Sequence, residues 1–289
     1  MNSPDAGSSS DVGMAQTFPK QVSLSENERP AVMHIPDGYD GLDQLPLVIQ
    51  LHGYSVDADI QESYFRLSSR VDDRRFFLIR PNGTVENSQE QNRFWNAIPN
   101  ACCNFYGSRI DDVAYLNSLI AEAKANYPVD ASRVYFIGHS NGGFMSYRMA
   151  CENAAEITAI VSLAGSTFKN ESDCKATEAV SVLQIHGDQD GTIPYNGRSM
   201  GAYGYPSAPI AVERWAERAG CDVTQTTEES AIDFDYNVSG DETRVIEYTY
   251  RCQADISSTL WHIQGGGHIP GLTAQFPDQV LDWMLKHKK

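Results

Sequence analysis

Apolar and polar positions divide the chain into short, continuous apolar runs alternating with segments of helical spacing. Residues 45–51 (LPLVIQL) form one such run, ending at His52-Gly53, and read as a strand buried on both faces. Runs at 76–80, 133–137, 158–163 and 180–185 read in the same way, each closed by glycine or proline. Residues 244–250 and 259–263 alternate as strands do. Between them, 111–126 places Val113, Leu116, Leu119, Ile120 and Ala123 on one helical face, with Pro128 just beyond. Residues 141–151, 209–219 (with Trp215 on the apolar side) and 275–287 also read as helices. Strands alternating with helices predict an α/β fold with a mostly parallel central sheet and helices on both faces. Stretches 84–110 and 191–208 carry no periodicity, and loops of that length in a compact domain are often functional.

Composition narrows the function classes. Asp and Glu outnumber Lys and Arg 38 to 22, giving a formal charge of −16. That argues against nucleic acid and anionic membrane surfaces as partners, because both require a positive face. No apolar run reaches the length of a membrane span. Residues 1–17, rich in Ser, Gly, Asp and Pro, read as a disordered lead. We expect a lead over 1–19 and one catalytic domain over 20–289. The lead lacks a basic region followed by an apolar one, so it does not read as a signal peptide. It fits the start of a mature exported protein or the spacer of a lipid-anchored one, with a floppy end on a cytosolic protein as the plain alternative. The six cysteines have no CxxC pair and no zinc-finger spacing. They read either as reduced core thiols or, the preferred reading, as two or three disulfides of an oxidising compartment. Cys221, after a helix end, and Cys252, at the end of a strand-like run, are the expected pair.

The strongest chemical signal is Gly138-His139-Ser140-Asn141-Gly142, a G-x-S-x-G turn with an apolar strand before it and a helix-compatible segment after it. That context makes Ser140 a candidate nucleophile, with the Asn141 amide at a helix N-terminus beside it. A serine needs a base, and the base needs an orienting carboxylate. Both follow in the order Ser, Asp, His, just past strand ends: His186-Gly187-Asp188-Gln189-Asp190, and Gly265-Gly266-Gly267-His268. Of the seven histidines, His268 has the freest approach. His52 and His186 read as turn braces, and His139 lies inside the elbow, beside the nucleophile, and cannot easily reach its oxygen. Asp188 and Asp190 are both candidate carboxylates; Asp190, further from the strand end, is the better placed to reach His268, and Asp188 to cap the turn. Leu51-His52-Gly53-Tyr54 matches the loop that supplies a second oxyanion donor, so the Tyr54 and Asn141 amides are the expected pair. Trp95, Tyr195 and His139 are candidate substrate contacts, although Phe94 and Trp95 would equally plug a loop onto the body. Asp111-Asp112 is read as a helix start complementing the dipole, so neither a metal nor a cofactor is expected.

Taken together, LHGYSVDA (51–58), PNGT (81–84), FWNA (94–97), ACC (101–103), DDVAYL (111–116), GHSNGGFMSYRMAC (138–151), HGDQDGTIPY (186–195) and GGGH (265–268) resemble the polyhydroxybutyrate-depolymerase and feruloyl-esterase family of α/β-hydrolase enzymes. The resemblance runs over nearly the whole chain after about residue 28. It implies an α/β-hydrolase fold, Ser140 as nucleophile, Asp190 as orienter, His268 as base, and an exported or lipid-anchored enzyme, extracellular, periplasmic or at the cell surface. Many relatives continue past the catalytic histidine with Thr-Trp-Pro-Gly, whereas His268 is followed by Ile269-Pro270-Gly271; polymer-degrading relatives often have Cys where Tyr54 stands. These departures weigh against true polyester depolymerisation, and the missing aromatic after His268 favours short or small acyl groups. With the aromatics beside the motifs as a lining for a planar acyl group, the expected substrates are small or aromatic esters, free or attached to a polymer, cleaved through an acyl-enzyme. The alternatives are hydroxyalkanoate oligomers or polyester, a serine peptidase or thioesterase, and a non-catalytic binding lipoprotein.

Overall fold

The computed structural model describes residues 18–26, 28–253 and 256–289. The lead over 1–17 lies outside the described residues. Phe18, assigned to the lead by sequence, packs its ring against Tyr39 and Tyr127 at 5.3 and 5.6 Å, so the folded body already includes it.

In chain order the first half contributes β1 (Gln21–Leu24), β2 (Ala31–His34), β3 (Leu45–Leu51), α1 (Ala58–Phe65), a single turn α2 (Val71–Arg74), β4 (Phe77–Arg80), β5 (Thr84–Val85), β6 (Arg93–Phe94), α3 (Asp112–Asn126), β7 (Val129–His139) and α4 (Asn141–Glu152). The second half adds β8 (Ala159–Leu163), β9 (Ser181–Gly187), β10 (Arg198–Met200), β11 (Tyr203–Tyr205), α5 (Ala208–Arg218), β12 (Thr227–Glu228), β13 (Thr243–Tyr248), β14 (Ser258–Ile263) and α6 (Phe276–Leu285).

Ten of the strands form one sheet in the order β1-β2-β4-β3-β7-β8-β9-β14-β13-β12. Its centre, β4 to β14, is parallel, and both margins are antiparallel. Every residue of β3, β8 and β9 is buried, which is why these strands read as unbroken apolar runs. Apolar stripes of α3, α4 and α5 cover one face, including Leu116, Leu119, Phe144 and Trp215. Phe65 of α1 and Phe276, Val280, Leu281 and Met284 of α6 cover the other. Asp57, Asp111 and Ser207 accept main-chain N–H bonds at the starts of α1, α3 and α5 and so stop those helices from fraying. Asp112 is fully buried, pairs with Arg29 at 2.7 Å and accepts the Asn96 amide, so both carboxylates of this acidic pair are already engaged.

The stretches read as structureless each hold a small hairpin, β5–β6 and β10–β11. All six cysteines are paired: Cys221 with Cys252, as expected, Cys151 with Cys174, and Cys102 with its neighbour Cys103. No helix among the described residues is long and apolar enough to cross a membrane.

Candidate active site

β7 runs directly into Ser140, whose backbone takes φ 52° and ψ −116°, a left-handed turn that reverses the chain into α4. The turn closes because its flanking residues lack side chains. A Cβ on Gly138 would lie 2.3 Å from the Gly142 carbonyl, and one on Gly142 would lie 2.4 Å from the carbonyl oxygen of Leu51. Ser140 N–H donates to Leu163 O at 2.8 Å, which ties the elbow to β8. The Ser140 side chain is thereby lifted to the ends of the parallel strands.

His268 and Asp190 meet it there. Ser140 Oγ lies 3.0 Å from His268 Nε2, and His268 Nδ1 lies 2.8 Å from Asp190 Oδ2. The carboxylate can only accept, so Nδ1 carries the proton and Nε2 is left to accept from the serine. Asp190 is itself fixed: Oδ1 accepts the Thr192 and Ile193 amides, both at 2.8 Å, and Oδ2 lies 3.3 Å from His186 Nε2. Burial opposes the charge on Asp190. Hydrogen bonds from His186 and His268, and from the Ile193 amide, outweigh it and hold the carboxyl well below its ordinary range. Asp188 serves the neighbouring turn, accepting from Gly265 N at 2.9 Å and from His262 Nε2 at 3.1 Å. The loops bearing Asp190 and His268 touch where a Cβ on Gly187 would lie 2.1 Å from Gly266 O.

The loop after β14 is held from behind. His139 Nε2 donates to the His268 carbonyl at 2.9 Å, and Tyr64 Oη donates to the Pro270 carbonyl at 2.7 Å. Arg66 donates to the Thr273 carbonyl at 2.5 Å, and Asp235 accepts the Gly271 amide at 2.7 Å. Burial, helped by the nearby His268, pulls His139 down to about 4, so it is neutral at physiological pH.

Opposite the triad, β3 ends in a loop whose polar groups are nearly all used. His52 Nε2 accepts the Gly83 amide at 2.8 Å, so its Nδ1 is the donor to Gly53 O at 2.7 Å. Gly53 N–H donates to Gln61 Oε1 at 3.2 Å and Ser55 N–H to Arg93 O at 2.9 Å. The main-chain N–H groups of Tyr54 and Asn141 find no protein acceptor among the described residues. A Cβ on Gly53 would lie 3.7 Å from Ser140 Cβ, so this loop runs alongside the elbow, and two free amides on adjoining segments form an arrangement able to receive a developing oxyanion.

Residues 41–207, more than half of the chain, match the phospholipase/carboxylesterase family. The chain belongs to this family. The matched span includes Ser140 and Asp190 and stops short of His268. The chain is also 28% identical to feruloyl esterase B of Piromyces equi, over 84% of this chain and 43% of that protein. It is 30% identical to a probable feruloyl esterase C of Aspergillus clavatus, over 59% of this chain and 58% of the relative. It thus spans about half the length of the curated relatives it matches. Among solved structures, an acetyl xylan esterase from Aspergillus awamori superposes with a TM-score of 0.66 at 13% identity, covering 93% of this chain and all of that one. That likeness supports the α/β-hydrolase fold.

Of the three expected substrate contacts, Trp95 and His139 are buried and Tyr195 is half-buried. Trp95 is 0% exposed, and its indole donates to His52 O at 3.0 Å, so it plugs its loop onto the body. His139 is 7% exposed, with one ring nitrogen committed to the His268 carbonyl. Tyr195 stacks on His262 at 4.7 Å and meets His186 edge-on at 5.8 Å, supporting the histidines that contact Asp188 and Asp190. Tyr64, Arg66 and Asp235 carried no sequence signal, because each acts on a loop far away in the chain, and Gln61, eight residues from Gly53, carried none either. Glu86 was missed as well: it is buried and accepts Tyr54 Oη at 2.7 Å, while Phe105, 68% exposed, packs edge-on to the Tyr54 ring at 5.1 Å.

Proposed function

We propose that this chain is a serine carboxylic ester hydrolase that works through an acyl-enzyme. The observation that carries this reading is the continuous Ser140–His268–Asp190 hydrogen-bond chain facing two unpaired amides. Ser140 Oγ attacks the ester carbonyl while His268 Nε2 takes its proton, and the carbonyl oxygen becomes an anion held by the Tyr54 and Asn141 amides. Each such donor is worth roughly 2.7–4 kcal/mol in the transition state. His268 then gives its proton to the departing alkoxide, leaving Ser140 acylated. Water adds to the acyl carbon with His268 again as base, and collapse of that intermediate frees the acid and restores the serine. Asp190, held as an anion, keeps Nδ1 protonated and stabilises the imidazolium between steps.

The substrates we assign are small or aromatic esters of the feruloyl or short-acyl kind. The feruloyl esterase relatives support this, as does the aromatic edge formed by Tyr54 and Phe105 beside the free amides. The three disulfides support folding in an oxidising compartment and hence export. Ser140→Ala should lower p-nitrophenyl acetate turnover by about 10⁴-fold or more with the melting temperature little changed; substantial residual turnover would sink the assignment. A steady-state panel of methyl ferulate, acetylated xylan, hydroxybutyrate oligomers and short p-nitrophenyl esters tests the substrate class. Faster release from polyester film than from the soluble esters would overturn it in favour of depolymerisation.

A further inference from the structure

The side chain of Asn141 makes a contact that the triad does not require. Its Oδ1 accepts the main-chain N–H of Trp95 at 2.7 Å, and its Nδ2 donates to the main-chain carbonyl of the same residue at 3.0 Å. Both residues are fully buried. The Trp95 indole N–H reaches the other way, to the His52 carbonyl at 3.0 Å, two residues before Tyr54. One residue therefore ties the helix start that carries the Asn141 amide to the strand end that carries the Tyr54 amide. We infer that Asn141 and Trp95 form a clamp that sets the spacing of the two oxyanion donors, and that Trp95 is a positioning residue for turnover without touching substrate. This rests on the proposed role of those two amides.

The clamp is anchored by further contacts, from α3, from α4 and from the loop after β3. Asn96 N–H donates to Asp112 Oδ2 at 2.7 Å, and that carboxylate is paired with Arg29. Arg148 of α4 donates to the carbonyls of Asn96 and Ala97, the latter at 2.9 Å. Arg93 O receives the Ser55 amide, just past Tyr54. Residues 93–97 are thus held at Arg93, Trp95, Asn96 and Ala97, and a segment so fully hydrogen-bonded has little freedom to drift. Donors must lie within about 2.7–3.1 Å of the anionic oxygen, so a shift of a few tenths of an ångström in either wall matters in the transition state and little in the ground state. The pair also accounts for asparagine at this position. Aspartate could accept from Trp95 N–H but would set a carboxylate against its carbonyl; alanine would leave the Trp95 N–H buried and unpaired, with its carbonyl keeping only the Ala97 amide at 2.8 Å.

The test compares Trp95→Phe, Asn141→Asp and Asn141→Ala with the wild-type full chain. Active sites are first counted by complete titration with a p-nitrophenyl phosphonate, so that unfolded protein does not enter the rates. We expect kcat for p-nitrophenyl acetate per titrated site to fall about tenfold in Trp95→Phe and about a hundredfold in Asn141→Ala, with KM within about twofold. Affinity for phenylboronic acid, which on Ser140 forms a tetrahedral adduct with an oxygen facing the same amides, should weaken by a matching factor across the series. Variants that lose melting temperature while kcat per site and boronate affinity stay at wild-type values would reduce the pair to a structural contact and overturn the clamp. A fall in kcat with unchanged boronate affinity would overturn it too. If instead the wild type is not titrated by the phosphonate and turns over no ester, the hydrolase reading itself has failed.

Discussion

Ser140 and His268 sit 3.0 Å apart but are held in place by different means. The serine is fixed by main-chain geometry: a left-handed turn, two glycines and a parallel strand on either side. The histidine is fixed by side chains from elsewhere, among them Tyr64, Arg66, Asp235 and His139, separated from its loop by as many as 207 positions in the chain. A site made of one locally determined part and one assembled at long range should respond to damage in two distinct ways.

The largest effect is expected on the local side. In Gly142→Ala the new methyl would lie 2.4 Å from Leu51 O and 2.7 Å from His52 O, so both the elbow and the donor loop must move. Activity should fall by at least about 100-fold, because misplacement near 1 Å costs that much. Near-normal kcat in this variant would mean the elbow is more compliant than its contacts imply.

Acid should separate the buried histidines from the carboxylates by pH window. Burial pulls four histidines, His34, His52, His139 and His287, from 6.5 down to about 4. The unfolded chain therefore binds more protons between those values, and stability falls as pH drops from about 6.5 to 4, by at most about 1.4 kcal/mol per pH unit for each histidine. Burial opposes the charge on Asp188 and Asp190, but hydrogen bonds hold both below their ordinary 3.8, so their contribution is present above that value and lost only as pH falls further. Melting temperatures measured from pH 7 to 3 should begin to fall below pH 6.5; a flat profile down to pH 4 would remove the buried histidines from the account. The smallest effect is expected for Tyr64→Phe, which deletes one hydroxyl from the brace on Pro270. It should cost about 1 kcal/mol of stability and a few-fold in kcat, read by denaturant unfolding and steady-state kinetics.

The same contrast explains what the chain disclosed before its structure was known. β3, β8 and β9 are buried on both faces, so their apolar runs stood out, and the residues at the ends of parallel strands could be read as candidates. The two hairpins inside 84–110 and 191–208 have strands of only two or three residues, too short for any periodicity to register. The marginal strands β1 and β2 are four residues each with mixed exposure, and they merged into the surrounding polar sequence. Trp95 stayed open between two readings because an aromatic in a loop looks the same whether it meets substrate or plugs the loop onto the body. The hydrogen bonds of its indole and main chain decide the matter, and those join positions more than 40 apart. Phe105 and Tyr54 escaped as a pair for a similar reason: only the folded loop brings their rings together.

The sheet described above ends in a strand of four residues on one side and one of two residues on the other. Exposed strand edges are where separate chains stack into larger assemblies, and the hazard grows with the length of unpaired backbone on offer. Here the outermost β12 consists of Thr227 and Glu228, and Glu228 is bound to Arg244 at 2.6 Å. A second copy approaching either rim would find almost no ladder to extend, and would meet a like charge of −16 on the way. A ten-stranded sheet has thereby been given margins that discourage self-stacking.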